Sequence, residues 1–203
     1  MKLVRGIAAF VGAIGAAGLA AHHGLVPSVA MGWGSAPDMV PVTAASLLLC
    51  AIAAWAMTMT SRSATVVVAT CAGWILGLMW LSALTALLKL STGVEGLFGG
   101  RSPSRLEYLE LPGLPSIGTI VGIMAFGLAC GAHVLSDSHR AIAMVTCGAT
   151  CVAVSVVGLL GHALGVPWMF YYRSGLSAGI AIPTAAAIGL LGVIALRLRR
   201  IAE

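Results

Sequence analysis

Six apolar runs, joined by links too short to fold alone, constrain this chain more than any other feature. They cover about residues 6–21, 41–59, 65–88, 117–135, 142–164 and 177–196. A bilayer span needs roughly 20 mainly apolar residues, so the runs predict an all-α membrane protein with six transmembrane helices. The longest link, residues 91–115, leaves no room for a soluble domain. Residues 1–203 are therefore expected to form a single integral membrane domain.

Composition removes the main alternative. With 60% hydrophobic and 8% charged residues and a mean hydropathy of +1.04, the apolar surface exceeds what one soluble core can bury. The net charge of +5 raises the question of nucleic acid. The basic residues stand at helix ends rather than on a basic face interleaved with aromatics, so no nucleic-acid partner is expected. Cys50, Cys71, Cys130, Cys147 and Cys151 all fall inside apolar runs, which implies packing and no disulfide framework. The first run, with Lys2 and Arg5 ahead of it, also fits a cleaved leader, but pairing with the second run favours a retained span.

The runs pair through a stretch that occurs three times. Pro41-Val42-Thr43-Ala44, Ser116-Ile117-Gly118-Thr119 and Pro183-Thr184-Ala185 each open an apolar run after a loop. Each threonine precedes a small residue by eight positions: Thr43 and Ala51, Thr119 and Gly127, Thr184 and Gly192. The copies lie 76 and 65 residues apart, and predict three helix-loop-helix repeats. Pro41 and Pro183 near a first turn lose no hydrogen bond, and Thr43, Thr119 and Thr184 can satisfy an orphan amide. These residues are expected to be structural helix starts.

Charge sets the expected orientation. Lys2, Arg5, Arg62, Arg140, Arg197, Arg199 and Arg200 fall on one side of the six runs, and Lys89, Arg101, Arg105 and Arg173 on the other. The positive-inside rule then puts both termini in the cytoplasm and the longer loops outward.

Small-residue pairs recur at four-residue spacing: Gly73 and Gly77, Gly118 and Gly122, Gly127 and Gly131, Gly161 and Gly165, Gly175 and Gly179. Lipid tails give helices no hydrophobic reason to associate, so close backbone approach supplies the packing. These glycines are expected at helix contacts, including a docking face towards another membrane protein, with lipids covering the rest.

His22 and His162 stand four residues before Val26 and Val166, near the ends of the first and fifth runs. Ionisable groups at membrane depth are costly and invite a functional hypothesis. Two imidazoles can hold a haem or a metal ion, so a second possibility is a membrane protein that binds haem or another lipophilic ligand through His22 and His162; the bland alternative is a pair of hydrogen-bonded interfacial residues. No other cofactor or metal ion is expected. His23 adjoins His22 but points elsewhere on a helix, and His133 and His139 are read as interfacial.

Gly175-Leu176-Ser177-Ala178-Gly179 matches the Gly-x-Ser-x-Gly pattern, but that pattern needs a strand-to-helix elbow and a base. No nucleophile, base and oxyanion set can be assembled, so a non-catalytic protein is expected. The runs contain no Asp or Glu, which disfavours ion-coupled transport and leaves a small-solute pore as a third possibility.

Val26-Pro27, the stretch 39–45, the stretch 118–129, Gly165-Val166-Pro167 and the stretch 181–191 together resemble the six-helix membrane sensory region that precedes bacterial histidine kinases and diguanylate cyclases. The resemblance covers most of the chain and implies a bacterial inner membrane. Such regions feed an output helix after the last span. This sequence ends seven residues after Leu196, so the expectation is a module without an output domain, an accessory or sensory subunit that acts through a larger membrane complex or signalling partner.

Overall fold

The computed structural model describes residues 1–27, 38–90, 92–94, 97–98, 113–135, 140–171 and 179–199. These form α1 (Lys2–His22), α2 (Pro41–Ala56), α3 (Arg62–Leu88), α4 (Ile117–Leu135), α5 (Arg140–Leu164), a single turn α6 (Trp168–Tyr171) and α7 (Ile182–Arg199). Of the six long helices, α1, α3, α4, α5 and α7 are long and apolar enough to cross a membrane. By that measure this is a multi-pass membrane protein.

The expectation of six spans needs a correction at α2. It has 16 residues, about 24 Å at 1.5 Å per residue, short of a hydrocarbon core of about 30 Å. The helix stops at Ala56, and Met57, Thr58 and Met59 continue as turns whose amides reach back to Ala53, Trp55 and Ala56. What α2 lacks in length it makes up in enclosure, burying every residue from Pro41 to Leu47 and then Cys50, Ala51, Ala53, Ala54 and Ala56.

Other boundaries move by a few residues. α3 begins at Arg62 because the Ser61 hydroxyl accepts the Ala64 amide, a side-chain cap. α7 begins at Ile182 rather than near residue 177: Gly179–Ala181 is non-helical, and Pro183, whose fixed φ suits a first turn, lies just inside the start.

The helices that carry the recurring stretch, α2, α4 and α7, touch one another pairwise in the middle of the bundle. Around them α1 packs on α2 and α7, α3 on α2 and α4, and α5 on α4 and α7. Each outer helix buries one narrow stripe: Val4, Ala8, Val11, Gly15 and Gly18 on α1; Ala64, Val68, Cys71, Ile75 and Leu78 on α3; Met144, Gly148, Cys151, Ser155 and Gly158 on α5. Steps of four and three residues keep such a stripe on one helix face. The stripes coincide when the chain is shifted by 60 residues (Val4 to Ala64) and by 140 (Val4 to Met144).

Each outer helix also ends on a left-handed residue: Gly24 (φ 72°), Lys89 (φ 53°) and Gly165 (φ 64°). After α1 the Leu25 amide donates to Ala20 O at 2.8 Å, and after α5 the Val166 amide donates to Gly161 O at 2.9 Å. That is a Schellman stop, which favours glycine because a Cβ is disfavoured at positive φ. Gly165 is thus a helix terminator with nothing within 4 Å of a Cβ, not the packing residue its spacing from Gly161 suggested.

Candidate functional site

The three helix starts are built alike. The amides of Ala44, Ile120 and Ala185 donate to Val40 O, Ser116 O and Ala181 O at 2.9–3.1 Å, so Thr43, Thr119 and Thr184 each occupy the third helical position. That register corrects the expected capping role. A cap acts from the residue before the helix, through its side-chain oxygen, and here those residues are Val40, Ser116 and Ala181. Only Ser116 can serve: its hydroxyl accepts the Thr119 amide at 3.1 Å and pairs with the Thr119 hydroxyl at 2.8 Å. Thr184 Oγ1 is buried with no partner.

The same three starts meet. Thr43, Thr119 and Thr184, with Asp38, Ser116 and Gly179, line one cavity of about 10 Å³, room for about one water molecule. The positive ends of three helices converge there, next to the Asp38 carboxylate and an unpartnered buried hydroxyl. Its lining groups suit hydrogen bonding to a water-sized species.

Both singled-out histidines serve the approach to it. His22 Nε2 donates to Met39 O at 2.6 Å, and His162 Nε2 donates to Ile180 O at 2.7 Å. Met39 and Ile180 each stand four residues before their threonine. Because a carbonyl only accepts, Nε2 carries the proton in each ring. His22 is buried, and its Nδ1 has no hydrogen-bond partner. With Nε2 donating to the chain that enters α2 or α7, the lone pair each ring could offer an iron or zinc ion is on Nδ1. α1 and α5 both pack on α7 and otherwise on different neighbours. At the matching position α3 carries Ser82, whose hydroxyl donates within its own helix to Leu78 O at 2.8 Å. Among the described residues no group of three or more His, Cys, Asp or Glu could hold a metal ion.

The predicted glycines divide. A Cβ on Gly122 would lie 2.7 Å from Ile188, and one on Gly127 2.9 Å from Ile75; these two are helix contacts. Gly118 and Gly161 are buried, and Gly179 lines the cavity. Gly73, Gly77 and Gly131 have nothing within 4 Å of a Cβ. Gly175 lies outside the described residues, as do most of the Gly-x-Ser-x-Gly stretch and His139. His23 is exposed at the end of α1, and His133 shares a hydrogen bond with Arg140 across the α4–α5 link.

The closest approaches to backbone were missed because their glycines are not in pairs four apart. A Cβ on Gly192 would come within 2.7 Å of Gly148 O, and one on Gly15 within 2.7 Å of Ala44 O. The findable signal was the mixed three-and-four spacing of small residues, as in Gly148, Cys151, Ser155 and Gly158.

The chain matches no protein-family model, no curated protein and no solved structure.

Proposed function

We propose that this protein is a non-catalytic accessory or sensory subunit of a bacterial inner membrane, built of three repeated helix pairs and working through contact with another membrane protein. The outward face of α3 carries this reading. Gly73 and Gly77 lie on it with open space beyond both, with Thr70 exposed one turn before and Trp74 and Trp80 exposed beside them. Small residues four apart let a second helix approach closely where the described residues supply none.

The coincident stripes of α1, α3 and α5 and the three like helix starts support the repeat. Of the seven described Lys and Arg residues, Lys2, Arg5, Arg62, Arg140, Arg197 and Arg199 lie at the starts of α1, α3 and α5 and the end of α7, and Lys89 lies at the end of α3, which supports cytoplasmic termini. In a sensory role, the cavity at the opposite end would receive the stimulus, and the inner helices would carry it across.

The test is photocrosslinking from position 73 in native membranes, followed by mass spectrometry. One membrane protein crosslinked in stoichiometric yield, and lost with Gly77→Leu, is the expected result. Crosslinks to lipid alone would remove the subunit reading.

A further inference from the structure

A second feature lies at the other end of the bundle. Between the first half of α1, the last half of α2 and the start of α3 runs a lateral groove of about 480 Å³, within the roughly 300–1,000 Å³ of ligand sites. Its lining is apolar, with small Ala8, Gly12 and Ala51 beside Leu48, Ile52 and Trp55. The early end of α2 opens it, because the helix that would fill the space stops at Ala56.

The rim has the opposite character. Arg5 lies over the Trp55 ring at 5.8 Å, within cation–π range, and its Nε donates to Thr58 Oγ1 at 2.9 Å. That bond fixes the guanidinium beside the groove. Among the described residues neither of its Nη nitrogens has a partner. Ser61 and Ser63 line the groove at the start of α3, with exposed Arg62 between them. Lys2 adds a third cation on α1, and α1, α2 and α3 carry no carboxylate. An apolar channel, cations at its mouth and the N-terminus of a 27-residue helix together match one chemistry: a hydrocarbon chain attached to an anion.

We propose that this groove binds an anionic glycerophospholipid, one acyl chain lying along Gly12, Ala51 and Ile52 and the phosphate held between Arg5 and Arg62. The site is separate from the Gly73–Gly77 face, neither glycine lining it, and stands or falls independently of the subunit reading.

Two measurements test it on the full chain. In the first, Trp55 is kept and the other four tryptophans are replaced by phenylalanine; quenching is compared in phosphatidylcholine vesicles carrying equal fractions of brominated phosphatidylglycerol or brominated phosphatidylcholine. About a fivefold preference for the anionic quencher per rim cation is expected, falling to none in Lys2→Gln/Arg5→Gln/Arg62→Gln. A chain keeping only Trp80, exposed farther along α3, should show none. Equal quenching of Trp55 by both lipids, or an equal preference at Trp80, would mean annular lipid only and overturn the proposal. The second uses the unaltered chain: native mass spectrometry from mixed vesicles should show one anionic lipid retained per chain. Retention of both lipids alike, or of neither, counts against the site.

Discussion

At the seam between α5 and α7, a Cβ on Gly192 would come within 2.7 Å of the Gly148 carbonyl. On α3, Gly73 and Gly77 present the same missing side chain to empty space. The first pair is apart in sequence and joined by the fold; the second has the spacing associated with helix packing and packs against nothing among the described residues. The comparison teaches that a glycine at membrane depth is a contact only where a second helix arrives. α5 turns small residues inward as Gly148, Ser155 and Gly158 and lets α7 close in. α3 turns Ile75, Leu78 and Met79 inward instead and leaves its glycines outside.

The sharpest way to break this comparison is to put a side chain at each place. Gly192→Leu should be the most damaging substitution, costing about 3 kcal/mol or more, because the obstruction is backbone and cannot swing away; denaturant titration in mixed micelles reads it. If the variant kept parent stability, the seam as described would be wrong. Losing a histidine clamp comes next. His22→Ala and His162→Ala should each cost roughly 1–3 kcal/mol, the buried His22 more, in the same titration; equal or negligible losses would detach the clamps from the helix starts.

Smaller effects distinguish the three helix starts. Ser116→Ala removes a real cap and should cost about 1 kcal/mol. Thr184→Val removes a buried hydroxyl without a partner and should be neutral or slightly stabilising, and thermal melts of the two variants should therefore move apart. A marked loss in Thr184→Val would show that the hydroxyl holds a water or ligand in the cavity. Smallest of all, Gly77→Leu should change the stability of the isolated chain by no more than about 0.5 kcal/mol. A large loss would mean that this face is already packed within the protein.

Much of the secondary structure was legible because membrane helices are written in long apolar runs: α4 occupies the expected 117–135, and five of six long helices have spanning length. The short α2 was less legible, since Met57, Thr58 and Met59 read as a continuation of its run while the chain turns there. Part of the site was visible too. The matching positions of His22 and His162 and the three threonines could be found by alignment, but their partners could not. Met39 O and Ile180 O are backbone atoms, and backbone acceptors leave no mark in a residue pattern.

The sequence by itself determined that the chain is helical and apolar enough for a membrane, where most of its helices run, and which positions recur, because these follow from local hydropathy and backbone preference. Only the tertiary structure decided which helices lie inside, which glycines meet a neighbour, that three helix starts share one cavity and that a groove opens where α2 stops. Those outcomes depend on which faces come together, and helix packing brings them together across long stretches of sequence by shape rather than by any local signature.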